Sequence, residues 1–166
     1  MTLSLLLIIA LAVVFDYING FHDTANAIAT SVATRALRPA YAISMAAAFN
    51  FIGAFAGTAV AKTIGAGIVD ETTTTQAVVG GALIGAITWN LITWRLGIPS
   101  SSSHALIGGL IGATVMAAGT DALNVEGIVN KVLIPLVTSP VIGFAGAFSL
   151  MIALFWIFRR ADRRPL

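Results

Sequence analysis

The stretch Asn19-Gly20-Phe21-His22-Asp23-Thr24-Ala25-Asn26-Ala27-Ile28-Ala29-Thr30 decides how the rest of the chain is read. It places a carboxylate, an imidazole, amides and hydroxyls beside segments too apolar for a water-facing surface. A second polar island, Pro99-Ser100-Ser101-Ser102-Ser103-His104, interrupts another apolar segment in the same way. Ionisable groups at membrane depth are costly, so residues that persist there are functional candidates. The two islands are expected to build one small-anion site.

The surroundings of the islands set the class. Of the 166 residues, 58% are hydrophobic and 10% are charged, against about 25% charged in a soluble domain. The uncharged runs Met1–Phe15, Pro39–Ala61, Gln76–Trp94 and Val132–Phe158 account for the deficit, since about 20 such residues cross a bilayer as a helix. The expected fold is an all-α, polytopic integral membrane protein. Cysteine is absent, which leaves no disulfide framework or thiolate metal site. Arginines are clustered: Arg35 and Arg38 precede the second run, and Arg159, Arg160, Arg163 and Arg164 close the chain. Such clusters mark cytoplasmic ends of spans, and nucleic acid is not an expected partner. No basic residue precedes the first apolar run, which argues against a cleaved signal peptide.

Residues 1–166 form a single membrane module in this reading. Residues 2–36 are too long for one straight span and too short for two. They are therefore expected to be a discontinuous helix, unwound near 19–23 and restarted by Asp23 or Thr24 as N-cap. A span covers 39–62, opened by Pro39, with Gly53 and Gly57 spaced for close packing and Lys62 snorkelling to the interface. Residues 65–75 form a polar loop. Residues 76–118 are expected to be a re-entrant hairpin with its tip at 97–103, because the second leg is short. Gly81, Gly85, Gly108 and Gly112 serve its packing. A kinked span covers 128–158, disturbed at Pro135 and Pro140, and 159–166 is a basic cytoplasmic tail. The charges then place the N-terminus outside and the C-terminus in the cytoplasm, with three spans and one hairpin in the cell membrane.

The islands differ in chemistry. Asp23, Asn26 and Thr30 stand at i, i+3 and i+7, on one helical face. Their oxygens are the hard ligands a small cation requires, so sodium at Asp23 and Asn26 is one reading and a proton on Asp23 another. The plain alternative is that Asp23 only caps a helix. Ser100–Ser103 lies just before a helix, whose first-turn N–H groups and partial positive charge suit an oxyanion. Here the plain alternative is a flexible serine loop. His104 adds a donor beside the serines, and Arg95 either approaches the anion or snorkels. Asp16, Asn50 and Asn90 are read as hydrogen-bonding glue between helices. Trp89 and Trp94 are assigned to packing or the interface.

Asn19-Gly20-Phe21-His22-Asp23-Thr24-Ala25-Asn26-Ala27 and Gly97-Ile98-Pro99-Ser100-Ser101-Ser102-Ser103-His104-Ala105 closely resemble signatures of the inorganic phosphate transporter family, and the likeness extends over essentially the whole chain. It implies a secondary symporter that couples phosphate entry to sodium or protons, with sulfate as an alternative substrate and no other cofactor. It implies that Asp23 and Asn26 serve the coupling cation and that Ser101, Ser102, Ser103 and His104 form the anion-binding hairpin tip. The implied fold is two inverted repeats around a midplane site. One transporter repeat is visible here, matching the N-terminal half, so a second inverted half or partner subunit is expected beside phosphate and the lipid bilayer. A non-transporting half-module, acting only with a partner chain, is the nearer alternative. An intramembrane serine hydrolase is the remote one. It lacks the strand–elbow–helix setting for a serine nucleophile, so no catalytic residue is assigned.

Overall fold

The computed structural model describes residues 2–56 and 67–160. Gly57, Lys62, Arg163 and Arg164, with the final residues of the expected 39–62 span and most of the basic tail, lie outside the described residues. The chain divides into two compact units, Met1–Asn124 and Val125–Leu166. Each is helical, and the expectation of an all-helical membrane protein holds. Leu3–Ala33, Gln76–Leu96 and Val125–Phe158 are long and apolar enough to cross a membrane, and Pro39–Phe55 and Ser102–Ala118 are shorter apolar helices.

Helix α1 (Leu3–Ala33) runs unbroken through the first island. The expected unwinding at 19–23 is absent, and Asp23 and Thr24 are interior residues rather than caps. The physical reason is one of magnitude. Gly20 costs a helix about 1 kcal/mol relative to alanine, no proline removes an N–H nearby, and Ala- and Leu-rich flanks sustain the hydrogen-bond ladder. The helix ends instead at Thr34, whose N–H and Oγ1 both donate to the Thr30 carbonyl, at 3.0 and 2.7 Å. Arg35 then turns left-handed at φ 58°, and Leu37 N–H returns to the Ser31 carbonyl at 3.1 Å.

Pro39 opens α2 (Pro39–Ala56), which packs on α1. Helix α3 (Gln76–Leu96) is capped by Thr75, whose side chain accepts from Val78 N–H at 3.4 Å. It is closed by Gly97 at φ 66°, a left-handed position that glycine occupies without steric cost. Helix α4 (Ser102–Ala118) returns against α3. Residues 76–118 thus form a packed pair of helices. Its first leg has 21 residues and is of crossing length, and its second begins at Ser102 and has 17. Close approach is made by Gly109, where an added Cβ would collide with the Ala82 carbonyl oxygen and stand 3.2 and 3.3 Å from the Ala82 carbonyl carbon and Cα. Gly85 faces the same glycine at 3.7 Å, whereas Gly108, Gly112 and Gly53 border open space. The packing assignment therefore moves from Gly108 and Gly112 to Gly109.

The core of this unit collects Ile18 and His22 of α1, Ala82, Ala86, Asn90 and Thr93 of α3, and Ser102, Leu110 and Thr114 of α4. At the far end of the hairpin, Val69 bridges Leu123, and Asn124 N–H donates to the Ile68 carbonyl at 2.9 Å. This ties the polar loop before α3 to the residues that follow α4.

The second unit is helical from Val125 to Phe158 and is named α5. It starts three residues before the expected Ile128. A π turn at Val129–Leu133 precedes Pro135, and Pro140 sits inside the helix that follows. A proline ring collides with the carbonyl four residues back. For Pro135 that carbonyl belongs to Lys131, inside the wider π turn, which moves it aside, and the helix continues through Pro140 to Phe158.

Candidate functional site

The first island lines a pocket of about 580 Å³ between α1 and α2. Asp16, Asn19, Gly20, Asp23, Thr24 and Ala27 supply one wall, and Asn50, Phe51 and Ala54 the other. Positions 16, 19, 20, 23, 24 and 27 follow the helical repeat, so the unbroken α1 presents them on one face. The Asp23 side chain is 44% exposed, and its Oδ1 lies 3.3 Å from Nδ1 of His22, which is turned into the core. Asn26 and Thr30 are exposed and do not line this pocket. Thr30 contributes its carbonyl to the helix cap instead. Asp16 and Asn50, expected to be glue, make no side-chain hydrogen bond among the described residues and face the pocket.

Asn19 and Asn50 thus line the pocket although no ligand role was assigned to them, and His22 touches Asp23 without lining it. Asn19 and Asp16 were within reach of the sequence, being one and two turns before Asp23 on the same face. Asn50 required the α1–α2 packing. His22 is fixed by contacts of the opposite face, where Ile18 is also buried and Phe21 meets Trp94 edge-on at 5.6 Å.

The second island lines a separate pocket of about 340 Å³ that includes Trp89, Ser100, Ser101, His104 and Gly109. It shares no lining residue with the first, so the two islands form two pockets here rather than one. Ser101 caps α4, with its Oγ accepting from His104 N–H at 3.3 Å. The remaining first-turn amides have no intrahelical acceptor, and the helix dipole adds partial positive charge. Trp89, expected to serve packing or the interface, donates its Nε1–H to Ser100 Oγ at 3.2 Å and pins the tip of the hairpin. The serines divide. Ser102 is 1% exposed, and its Oγ has no partner among the described residues, whereas Ser103 is exposed and outside the pocket. Asn90 is likewise fully buried, and its side-chain amide has no partner among the described residues, so it is not the interhelical glue expected. Arg95 is exposed at the end of α3 and does not line the pocket.

A dedicated family model, described as the phosphate transporter family, matches residues 19–165. The chain belongs to the phosphate transporter family. Among its relatives, a protein of Streptomyces halstedii named "Probable low-affinity inorganic phosphate transporter" is 54% identical over 96% of this chain and 75% of its own length. One of the same name from Bacillus subtilis is 53% identical over 95% of this chain and 47% of its own. The low-affinity inorganic phosphate transporter PitA of Escherichia coli is 42% identical over 92% of this chain and 34% of its own length. A solved structure titled "The sodium-dependent phosphate transporter" superposes with a TM-score of 0.86 at 29% identity, covering 97% of this chain and 42% of that one. The chain therefore spans less than half of several of the family members it matches. These relatives are named as transporters, not as enzymes.

Proposed function

We propose that this chain supplies half of a cation-coupled inorganic phosphate symporter. The observation that carries the reading is the hairpin tip. A serine-capped helix start, free first-turn amides, Ser100, Ser101 and His104 converge on one pocket within an apolar pair of helices. Donors of this kind bind an oxyanion without a fixed positive charge, which favours release as well as capture. Ser102 and Ser103 flank the pocket and would join it through a shift of the first turn. The Asp23 pocket takes the coupling cation, with Asn19 and Asn50 as neutral oxygen donors beside the carboxylate. Asn26 and Thr30 lie further along α1 and belong to this role only if the helix rotates. Sodium is the favoured cation, because the superposed structure is titled sodium-dependent.

Transporter sites commonly lie between inverted repeats, where one bundle rocks against the other. Two separate pockets within one unit fit a site whose second wall comes from an inverted half. Arg35, Arg38, Arg159 and Arg160 favour an outside N-terminus and a cytoplasmic C-terminus. The hairpin is re-entrant in this topology, its 17-residue second leg being about 25 Å long.

The test is uptake of labelled phosphate into liposomes under an imposed sodium or proton gradient, with the chain alone and with a supplied second half. Gradient-driven accumulation only with the second half supports the proposal. Accumulation by the chain alone refutes the half-site argument, and no accumulation in either case refutes the symporter reading.

A further inference from the structure

Asp16 lies outside the residues matched by the family model, which begin at 19, and no mechanism above uses it. It nevertheless stands in the wall of the Asp23 pocket, in the middle of an apolar crossing-length helix. It has no ion-pair or hydrogen-bond partner among the described residues. A carboxylate so placed is costly in a membrane, and helix packing does not use it.

We propose that Asp16 is a positioning charge of this pocket: its field raises occupancy by the cation held at Asp23, without ligating that ion. This rests on the reading of Asp23 as the cation residue. Seven residues on an unbroken helix separate the two Cα atoms by about 10.5 Å and nearly complete two turns, so both side chains share the pocket face. Cation–oxygen contacts are only about 2.3–2.6 Å long, so a single ion at Asp23 does not also touch Asp16. The pocket spans the interval, with Asn19 between the two carboxylates and Asn50 opposite on α2. The other titratable group in contact is His22, whose Nδ1 meets Asp23 Oδ1. Across about 10 Å, at an effective dielectric near 20, one unit charge changes the binding constant of a monovalent cation about ten- to twentyfold.

The experiment is radiolabelled sodium binding to the purified full chain assembled with the second half in detergent, with choline chloride holding or raising ionic strength. Asp16→Asn is expected to weaken apparent sodium affinity about ten- to twentyfold while leaving the number of sites per chain unchanged. Asp16→Glu restores affinity, and Asp23→Asn abolishes binding. Added choline chloride weakens sodium binding to the wild type more than to Asp16→Asn, because the longer-range attraction is the screened one. Unchanged affinity in Asp16→Asn while Asp23→Asn abolishes binding overturns the role of Asp16 and leaves the cation reading of Asp23 intact. Loss of sites rather than affinity in Asp16→Asn overturns it as well, since that is the mark of a ligand or a folding defect. No sodium binding by the wild type overturns the inference together with the reading beneath it.

Discussion

Gly109→Ala tests the packing that holds the hairpin-tip pocket in shape. The added Cβ would fall on the carbonyl oxygen of Ala82 and within 3.2–3.3 Å of two further backbone atoms of α3. Backbone has no rotamer to change, so the two helices must separate. Inserting a methyl group into a close-packed interface costs about 1–3 kcal/mol. The substitution also gains about 1 kcal/mol of helix propensity, which would mask part of the loss in a single measurement. Gly108→Ala supplies the control, because it gains the same propensity while its Cβ meets nothing within 4 Å. The difference between the two variants isolates the collision, at about 1–3 kcal/mol, or roughly 2–12 °C in Tm at about 2–4 °C per kcal/mol. Thermal unfolding in detergent, followed by tryptophan fluorescence, reads it directly, since Trp89 and Trp94 lie on α3. Equal Tm values for the two variants would refute the claim that Gly109 sets the α3–α4 distance.

Other expectations follow from the same geometry. Ser101→Ala removes both the α4 cap and a pocket hydroxyl and should weaken phosphate binding several-fold, whereas Ser102→Ala removes a buried hydroxyl without a partner and should leave Tm unchanged or raised. Equilibrium binding of labelled phosphate and a melting curve for each variant, with the second half present, check both, and a larger affinity loss at Ser102 would relocate the site. Trp89→Phe deletes the bond to Ser100 and should weaken phosphate binding about two- to tenfold, in line with a net hydrogen bond of about 0.5–1.5 kcal/mol; unchanged affinity would show that the tip needs no pin. Arg35→Gly relieves a left-handed arginine and should stabilise the chain by up to about 1 kcal/mol, while mixed orientation in a protease-protection assay would reveal how much topology depends on that charge.

The sequence made some of these features legible and hid others, for identifiable reasons. Gly97 and Pro99 announce the hairpin tip because glycine at a left-handed position and proline after a helix both act locally. The break expected in α1 rested on local signals too, a glycine and two capping residues. It failed because those preferences amount to about 1 kcal/mol each and a long apolar ladder outweighs them. The Asp23 pocket was half visible. Asp23 declared itself by its charge and Asn19 shares its periodicity, but Asn50 and the inward turn of His22 depend on which helix packs on which face. The division of the serine run was invisible for a similar reason. Four identical residues carry no periodicity, and only the docking of α4 on α3 distinguishes buried Ser102 from the pocket-facing Ser101.

The unbroken α1 has a mechanical consequence. Its 31 residues make a rod about 46 Å long, against a hydrocarbon layer of about 30 Å. Upright, about 16 Å of it stands clear of the hydrocarbon; hiding the whole rod takes a tilt of about 50°. Asp23 lies about 30 Å along the rod from Leu3, so upright it reaches the far headgroups and at that tilt it rests about 20 Å deep. A helix without a hinge swings as a lever, carrying the carboxylate and its pocket wall through the dielectric boundary together. Bilayer thickness then acts on the Asp23 pocket as a load acts on a beam, and thick and thin lipids should set different resting depths for the same charge.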